Sequence, residues 1–219
     1  MSLLKTIKQK TYRLLKGKLR FENTEQYWEE RYHRGYDSGA GSYGELAQWK
    51  AQTINAFISS NNIQSVIDFG CGDGNIASLI QVPSYLGLDI SQTAIDLCSN
   101  RFRDDTSKAF LLRKNYGEQS AELALSLDVI FHIISDDDFD AYMETLFSAS
   151  SGFVMIYSSN HKQEELQVSP HFKHRKFTDW VKERHVNFSL VEHIPNAFQF
   201  DGDEQNSSCS DFYIYQRIN

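Results

Sequence analysis

The chain has 219 residues, 41% of them hydrophobic and 23% charged, with a net charge of −7. That length lets one α/β domain bury a core without a disulfide or a structural metal. Cys71, Cys98 and Cys209 are widely spaced and form no C-x-x-C pair, which points to a reducing cytoplasmic setting and away from zinc, and no apolar run approaches the ~20 residues of a bilayer span.

Charge is unevenly placed. Residues 1–20 carry five lysines and two arginines with no acid, which leaves −14 on the rest. An acidic body argues against nucleic acid as the main partner, because phosphate contacts dominate such binding. Residues 1–22 read as a basic extension, with Leu3, Leu4, Ile7, Leu14, Leu15 and Leu19 roughly at helical spacing. Such a face suits peripheral contact with an anionic membrane, while a solvated extension is the plainer reading. Residues 23–219 read as one domain. Asn23 or Thr24 caps a helix through Tyr27, Trp28 and Tyr32. The stretch Gly35 to Gly44 holds four glycines in ten residues and reads as a lid loop, followed by a helix over Glu45 to Ser60. Residues 23–62 thus supply two helices and a lid.

Ser65 to Phe69 reads as a buried parallel strand, followed by Gly70, Gly72 and Gly74 at alternate positions. A helix is expected over Asn75 to Ile80, so that an anionic or nucleoside ligand would sit over its N-terminus. Tyr85 to Asp89 reads as the next strand. A carboxylate at its end accepts hydrogen bonds from ribose hydroxyls. Then follow a helix over Thr93 to Phe102, strands over Ala109 to Leu112 and Glu122 to Leu127, a helix from a Ser135 cap to Ser148, and a strand over Gly152 to Tyr157. Phe177 to Arg184 reads as a helix capped by Thr178. Phe188 to His193 and Asp211 to Ile218 read as strands with no helix between them, so the last is expected to be antiparallel. Alternating strands and helices imply a doubly wound α/β sheet with helices on both faces.

Two glycine fingerprints overlap. Gly72-x-Gly74-x-x-Ala77 fits a dinucleotide loop. Asp68-x-Gly70-x-Gly72-x-Gly74 fits better and resembles motif I of class I S-adenosylmethionine (SAM) dependent methyltransferases. That resemblance implies a Rossmann-like sheet of seven strands, mostly parallel with an antiparallel C-terminal strand, and SAM as cofactor. It implies a cofactor site of Tyr43, Asp68, Gly70, Cys71, Gly72, Asp73, Asp89, Ile90, Asn115, Tyr116, Ser126 and Leu127. The run Ser126 to Ile133 resembles the family's motif IV region, where an acid and a histidine follow the fourth strand. The segments Tyr27 to Tyr32, Gly39 to Gly44 and His171 to Trp180, with the ending Asp211 to Tyr215, resemble methyltransferases of bacterial polysaccharide and glycolipid synthesis. They imply a saccharide, glycan or other small-molecule acceptor.

Methyl transfer needs alignment and an unprotonated acceptor. Asp128, His132 and His174 are the catalytic candidates. Asp128 and His132 are four residues apart and share one face if that stretch is a short helix. His171-x-x-His174 has metal-compatible spacing only in helical geometry, and no H-E-x-x-H is present, so no metal is expected. The competing functions are a nicotinamide-dependent oxidoreductase, which needs a parallel sixth strand, and a SAM-binding module without catalysis, which predicts dispersed histidines.

Overall fold

A computed structural model describes residues 21–162, 171–203 and 205–218. The basic stretch over residues 1–20 lies outside them. The chain forms five α-helices and seven strands among the described residues: α1 (Thr24–His33), α2 (Gly44–Ser60), β1 (Ser65–Phe69), β2 (Ser84–Asp89), α3 (Gln92–Arg101), β3 (Lys108–Leu112), β4 (Ala121–Leu127), α4 (Asp136–Ser148), β5 (Ser150–Ser158), α5 (Phe177–Arg184), β6 (Phe188–Ile194) and β7 (Asp211–Arg217).

The strands make one sheet in the order β3-β2-β1-β4-β5-β7-β6. β1 to β5 run parallel, and β7 inserts antiparallel between β5 and β6. This is the expected α/β sheet of seven strands. β6 runs in the same direction as β1 to β5, so a parallel sixth strand is present and does not by itself separate the two readings. The departure from a nicotinamide-binding half is antiparallel β7, which stands between β5 and β6. Strand order reverses between β1 and β4, and open sheets bind ligands at such a reversal, beyond the carboxyl ends of the strands.

Period-two alternation splits the core. Leu123, Leu125 and Leu127 of β4 pack with Ala47, Ala51, Ile54 and Ile58 of α2 on one face. Ala124 packs with Met143, Leu146 and Phe147 of α4 and Val181 of α5 on the other. The caps follow short-range chemistry. Asn23, Ser91 and Ser135 each accept a hydrogen bond from a backbone N–H in the first turn of α1, α3 and α4.

Two local expectations fail. Asn75 to Ile80 forms turns rather than a helix. Asn55 of α2 binds both Leu79 O, at 2.8 Å, and Gln81 N, at 2.9 Å, and Pro83 follows. The segment is therefore stitched to α2 and stopped before a helix can propagate. The second concerns Thr178. It lies inside α5, whose N-cap is Lys176 without a side-chain bond, and its hydroxyl takes a hydrogen bond from Asn160 at 2.9 Å.

Candidate active site

The carboxyl ends of β1, β2 and β4 open into one cleft of about 2990 Å³. Single small-molecule sites occupy ~300–1,000 Å³, so this cleft has room for two ligands side by side. Its lining includes Tyr43, Asp68, Gly70, Cys71, Gly72, Asp73, Asp89, Ile90, Leu127, Asp128, His132 and His174 from the sequence reading.

One half is built from strand ends. Gly70 and Cys71 donate their N–H groups to Leu88 O at 2.7 and 3.0 Å, folding the turn back onto β2. Gly72 N donates to Asp89 Oδ2 at 2.9 Å, and Ser91 N donates to Asp89 Oδ1 at 2.9 Å. Gly72 has φ of 56°, and a Cβ there would collide with Ser38 Oγ and Tyr32 OH. Glycine is needed for both reasons. The turn thus spends its N–H groups on the protein and leaves carboxylates facing the cleft. Asp68 is 2% exposed. Its Oδ2 accepts from Tyr85 OH at 2.6 Å, and its Oδ1 is buried without a hydrogen-bond partner. Burial pushes the Asp68 carboxyl up to about 6, with Tyr85 opposing and Asp89 adding to the rise. Burial likewise pushes Asp89 to about 6 against the hydrogen bonds from Ser91, Gly72 and Ile90.

The glycine-rich loop over residues 35–44 lies on this turn as a strap. Ser38 N and Tyr43 OH both donate to Asp73 Oδ2, at 2.9 and 2.8 Å. Asp73 N donates to Ser38 Oγ at 3.0 Å, and Asn75 Nδ2 donates to Ser42 O at 2.7 Å. Asp73 and Tyr43 therefore join strap to turn, a part that a cofactor-binding assignment alone does not capture.

The other half is ring-lined. Thr24 Oγ1 donates to His132 O at 2.9 Å, and Lys173 N donates to Phe131 O at 2.7 Å. These bonds bring α1, the turn after β4 and the stretch 171–174 together. Tyr27 stacks on His171 at 5.3 Å, Trp28 meets His132 edge-on at 5.0 Å, and Phe172 lies 4.9 Å from His132. His132 Nδ1 lies 3.3 Å from His171 O. A carbonyl only accepts, so Nδ1 carries the proton and Nε2 the lone pair. Burial drives His132 down to about 3, so the ring stays neutral. His174 is buried, with Nδ1 2.6 Å from Ser159 Oγ, and burial lowers its pKa as well. The histidines are gathered rather than dispersed.

Asp128 does not join them. The expected helical face fails because Asp128 has φ of 57° and the helix after it is a single tight turn, Ile130–His132. Asp128 Oδ2 instead pairs with Lys50 Nζ at 2.6 Å, and its Oδ1 accepts from Ser210 Oγ at 3.1 Å. The Lys50 side chain is 1% exposed and also sits over the Tyr157 ring at 4.9 Å.

Three expected cofactor residues fall outside the cleft lining. Ser126 is fully buried, sharing a 2.8 Å bond with Tyr142 OH. The tight turn Arg113–Asn115 puts Arg113 in the cleft in place of Asn115, with its guanidinium 5.1 Å from the Phe69 ring centre. Tyr116 packs on Phe69 and donates to Gln119 O at 2.7 Å. Sequence reading also missed Arg113, Tyr142, Lys50 and Ser38. Arg113 and Tyr142 fall in no motif and reach the cleft only through the fold; Lys50 is buried behind it against Asp128, and Ser38 lies in the loop read as a lid. The described residues contain no cluster of three metal-binding side chains, and 171–176 is not helical.

Residues 67–148 match the family model described as a methyltransferase domain. A tRNA (carboxymethyluridine(34)-5-O)-methyltransferase of Arabidopsis thaliana is 30% identical over 144 residues, covering 64% of this chain and 35% of that protein. The tRNA (carboxymethyluridine(34)-5-O)-methyltransferase ALKBH8 of Macaca fascicularis is 24% identical over 207 residues, covering 86% of this chain and 31% of that protein. The chain thus spans about a third of the curated relatives it matches. Among solved structures, the N-methyltransferase NodS of Bradyrhizobium japonicum WM9 with S-adenosyl-L-homocysteine (SAH) superposes with a TM-score of 0.71. It is 10% identical, over 90% of this chain and all of that one. That likeness is one of fold. The expectation of no nucleic-acid partner is corrected by these relatives, both of which are named for tRNA. Net acidity was a poor guide because it averages over the surface, whereas binding is decided by local patches.

Proposed function

We propose that this chain binds SAM in the half of the cleft at Asp68 and Asp89 and transfers its methyl group to an acceptor oxygen in the ring-lined half. One observation carries the reading. Asp68 Oδ1 is a buried carboxylate oxygen without a partner, next to a second buried carboxylate at the adjacent strand end. Two such acids held near 6 are costly alone and suit a ligand that brings a positive charge and hydroxyl donors. SAM has an ammonium, a sulfonium and two ribose hydroxyls, and it fits this donor set. The methyltransferase family match and the SAH-bound neighbour agree with it.

When bound, SAM supplies a methyl carbon on a positive sulfonium. The chain's own part is alignment, worth ~7–11 kcal/mol, and management of the acceptor's proton. Asp89 would hold the ribose hydroxyls, Asp68 the ammonium and Ile90 the apolar edge. The strap over residues 35–44, latched through Asp73, excludes water from the turn. His132 Nε2 is proposed to receive the acceptor's proton, and His174, held by Ser159 and with its pKa lowered by burial and by His161, to stay neutral on the same wall. Asp128 is proposed to anchor Lys50 and the start of β7 rather than to act as base.

The acceptor is proposed to be a saccharide or glycan oxygen. Support comes from the motif resemblance and from the aromatic wall, since ring faces pack well on sugars. RNA is the second reading, favoured by the two relatives named for tRNA. Calorimetry with SAM, SAH and NAD tests the cofactor. Binding of SAM and SAH but not NAD is expected, and binding of NAD alone, or of none, overturns the proposal.

A further inference from the structure

The ring-lined half constrains the chemistry of the acceptor, an inference that rests on the methyltransferase reading above. We infer that the reacting oxygen arrives as a hydroxyl that donates a hydrogen bond to His132 Nε2, so that alcohols are accepted and carboxylates are rejected, which would set this chain apart from the two relatives named for carboxymethyluridine. The geometry begins with the tautomer. His171 O can only accept, which fixes the proton on His132 Nδ1 at 3.3 Å and the lone pair on Nε2. Among the described residues nothing bonds Nε2, and His132 lines the cleft. A hydroxyl completes that nitrogen. A carboxylate oxygen would set lone pair against lone pair, and a buried acceptor left unpaired costs ~1–3 kcal/mol.

Protonating His132 would let the ring itself welcome a carboxylate, and its surroundings oppose it. The ring is enclosed by Trp28, Phe131 and Phe172, and lies parallel to His171 at 6.2 Å. Arg31 on α1 and His174 also disfavour a second positive charge there. Two of the arginines that reach the cleft have other work: Arg31 donates to Asp37 O at 2.6 Å and Arg101 to Asp73 O at 3.3 Å. Arg113 lies over the Phe69 ring at the end of β1, in the strand-end half.

The test uses the full chain saturated with SAH, so that failure of cofactor binding is seen first and counts against the methyltransferase reading alone. Two matched probe pairs are then titrated: methyl glucoside against methyl glucuronide, and hydroxymethyluridine against carboxyuridine. The readouts are the His132 ring nitrogen shifts and Trp28 fluorescence. In at least one pair the alcohol is expected to bind tenfold or more tighter, moving the Nε2 resonance while Nδ1 keeps its proton. The pair that responds distinguishes sugar from nucleoside. His132→Phe is expected to erase the preference while SAH binding is kept. A carboxylate that binds as well as its alcohol, a His132 that titrates near neutral pH, or probes that leave His132 and Trp28 unmoved overturns the inference.

Discussion

The two halves of the cleft are assembled over different distances along the chain. At the ends of β1 and β2, the bonds Tyr85–Asp68 and Gly72–Asp89 each join residues 17 positions apart. Around His132, Thr24 reaches across 108 positions and His171 across 39. The first half is charged, with carboxyls held above their ordinary range. The second is neutral and stacked. One half is therefore poised for a ligand that relieves electrostatic cost, the other for a ligand selected by shape and hydrogen bonding. Each half should therefore be open to damage without disturbing the other.

The largest effect is expected from Asp89→Ala. Hydrogen bonds to a charged group are worth ~1.5–3 kcal/mol each, so losing two ribose contacts should weaken SAH binding about 100-fold or more in calorimetry. The His132 resonances of the ligand-free protein should not move. If they do, the halves are not separable.

Lys50→Met breaks the pair on which Asp128 depends. Losing one partner of a buried ion pair costs ~3–5 kcal/mol, and the partial exposure of Asp128 reduces this to about 2–3 kcal/mol in urea denaturation. The double variant with Asp128→Asn should recover part of the loss. Equal losses in single and double variants would deny the pair its anchoring role.

A comparable effect comes from pH. Asp68 and Asp89 titrate at about 6 in the fold, above the ordinary 3.8. A raised carboxyl contributes its full stabilisation below the ordinary value, and this is lost as pH rises through the folded value. The ligand-free protein should therefore lose a few kcal/mol between about pH 4 and 6 from these groups. Asp68→Asn should flatten that part of the stability curve and melt higher than wild type at pH 7. SAM affinity should run the other way, falling as pH drops below about 6. A SAM affinity that stays level across that window would remove these carboxylates from the cofactor site.

The same contrast of distance governs what was legible in the sequence. Asp68, the three glycines and Asp89 announce themselves because strand end, turn and strand end are short and contiguous. The antiparallel β7 followed from the missing crossover helix. The helix after Gly74 was misread because Asn55, some twenty residues upstream, claims the backbone groups that would have propagated it. Asp128 looked like a partner for His132 because a four-residue step suggests one helical face. Its left-handed backbone and the buried Lys50 turn it away. Arg113 stands in the cleft instead of Asn115 because a tight turn ends β3. The ring wall could not be read at all, since stacking of Tyr27 on His171 leaves no local pattern in either segment.

A crystal structure with SAH is the most direct measurement of the central claim. The ligand is expected at the ends of β1 and β2, with its hydroxyls on Asp89 and its ammonium beside the unpartnered oxygen of Asp68. SAH elsewhere in the cleft, or bound with Asp68 and Asp89 untouched, would contradict the account.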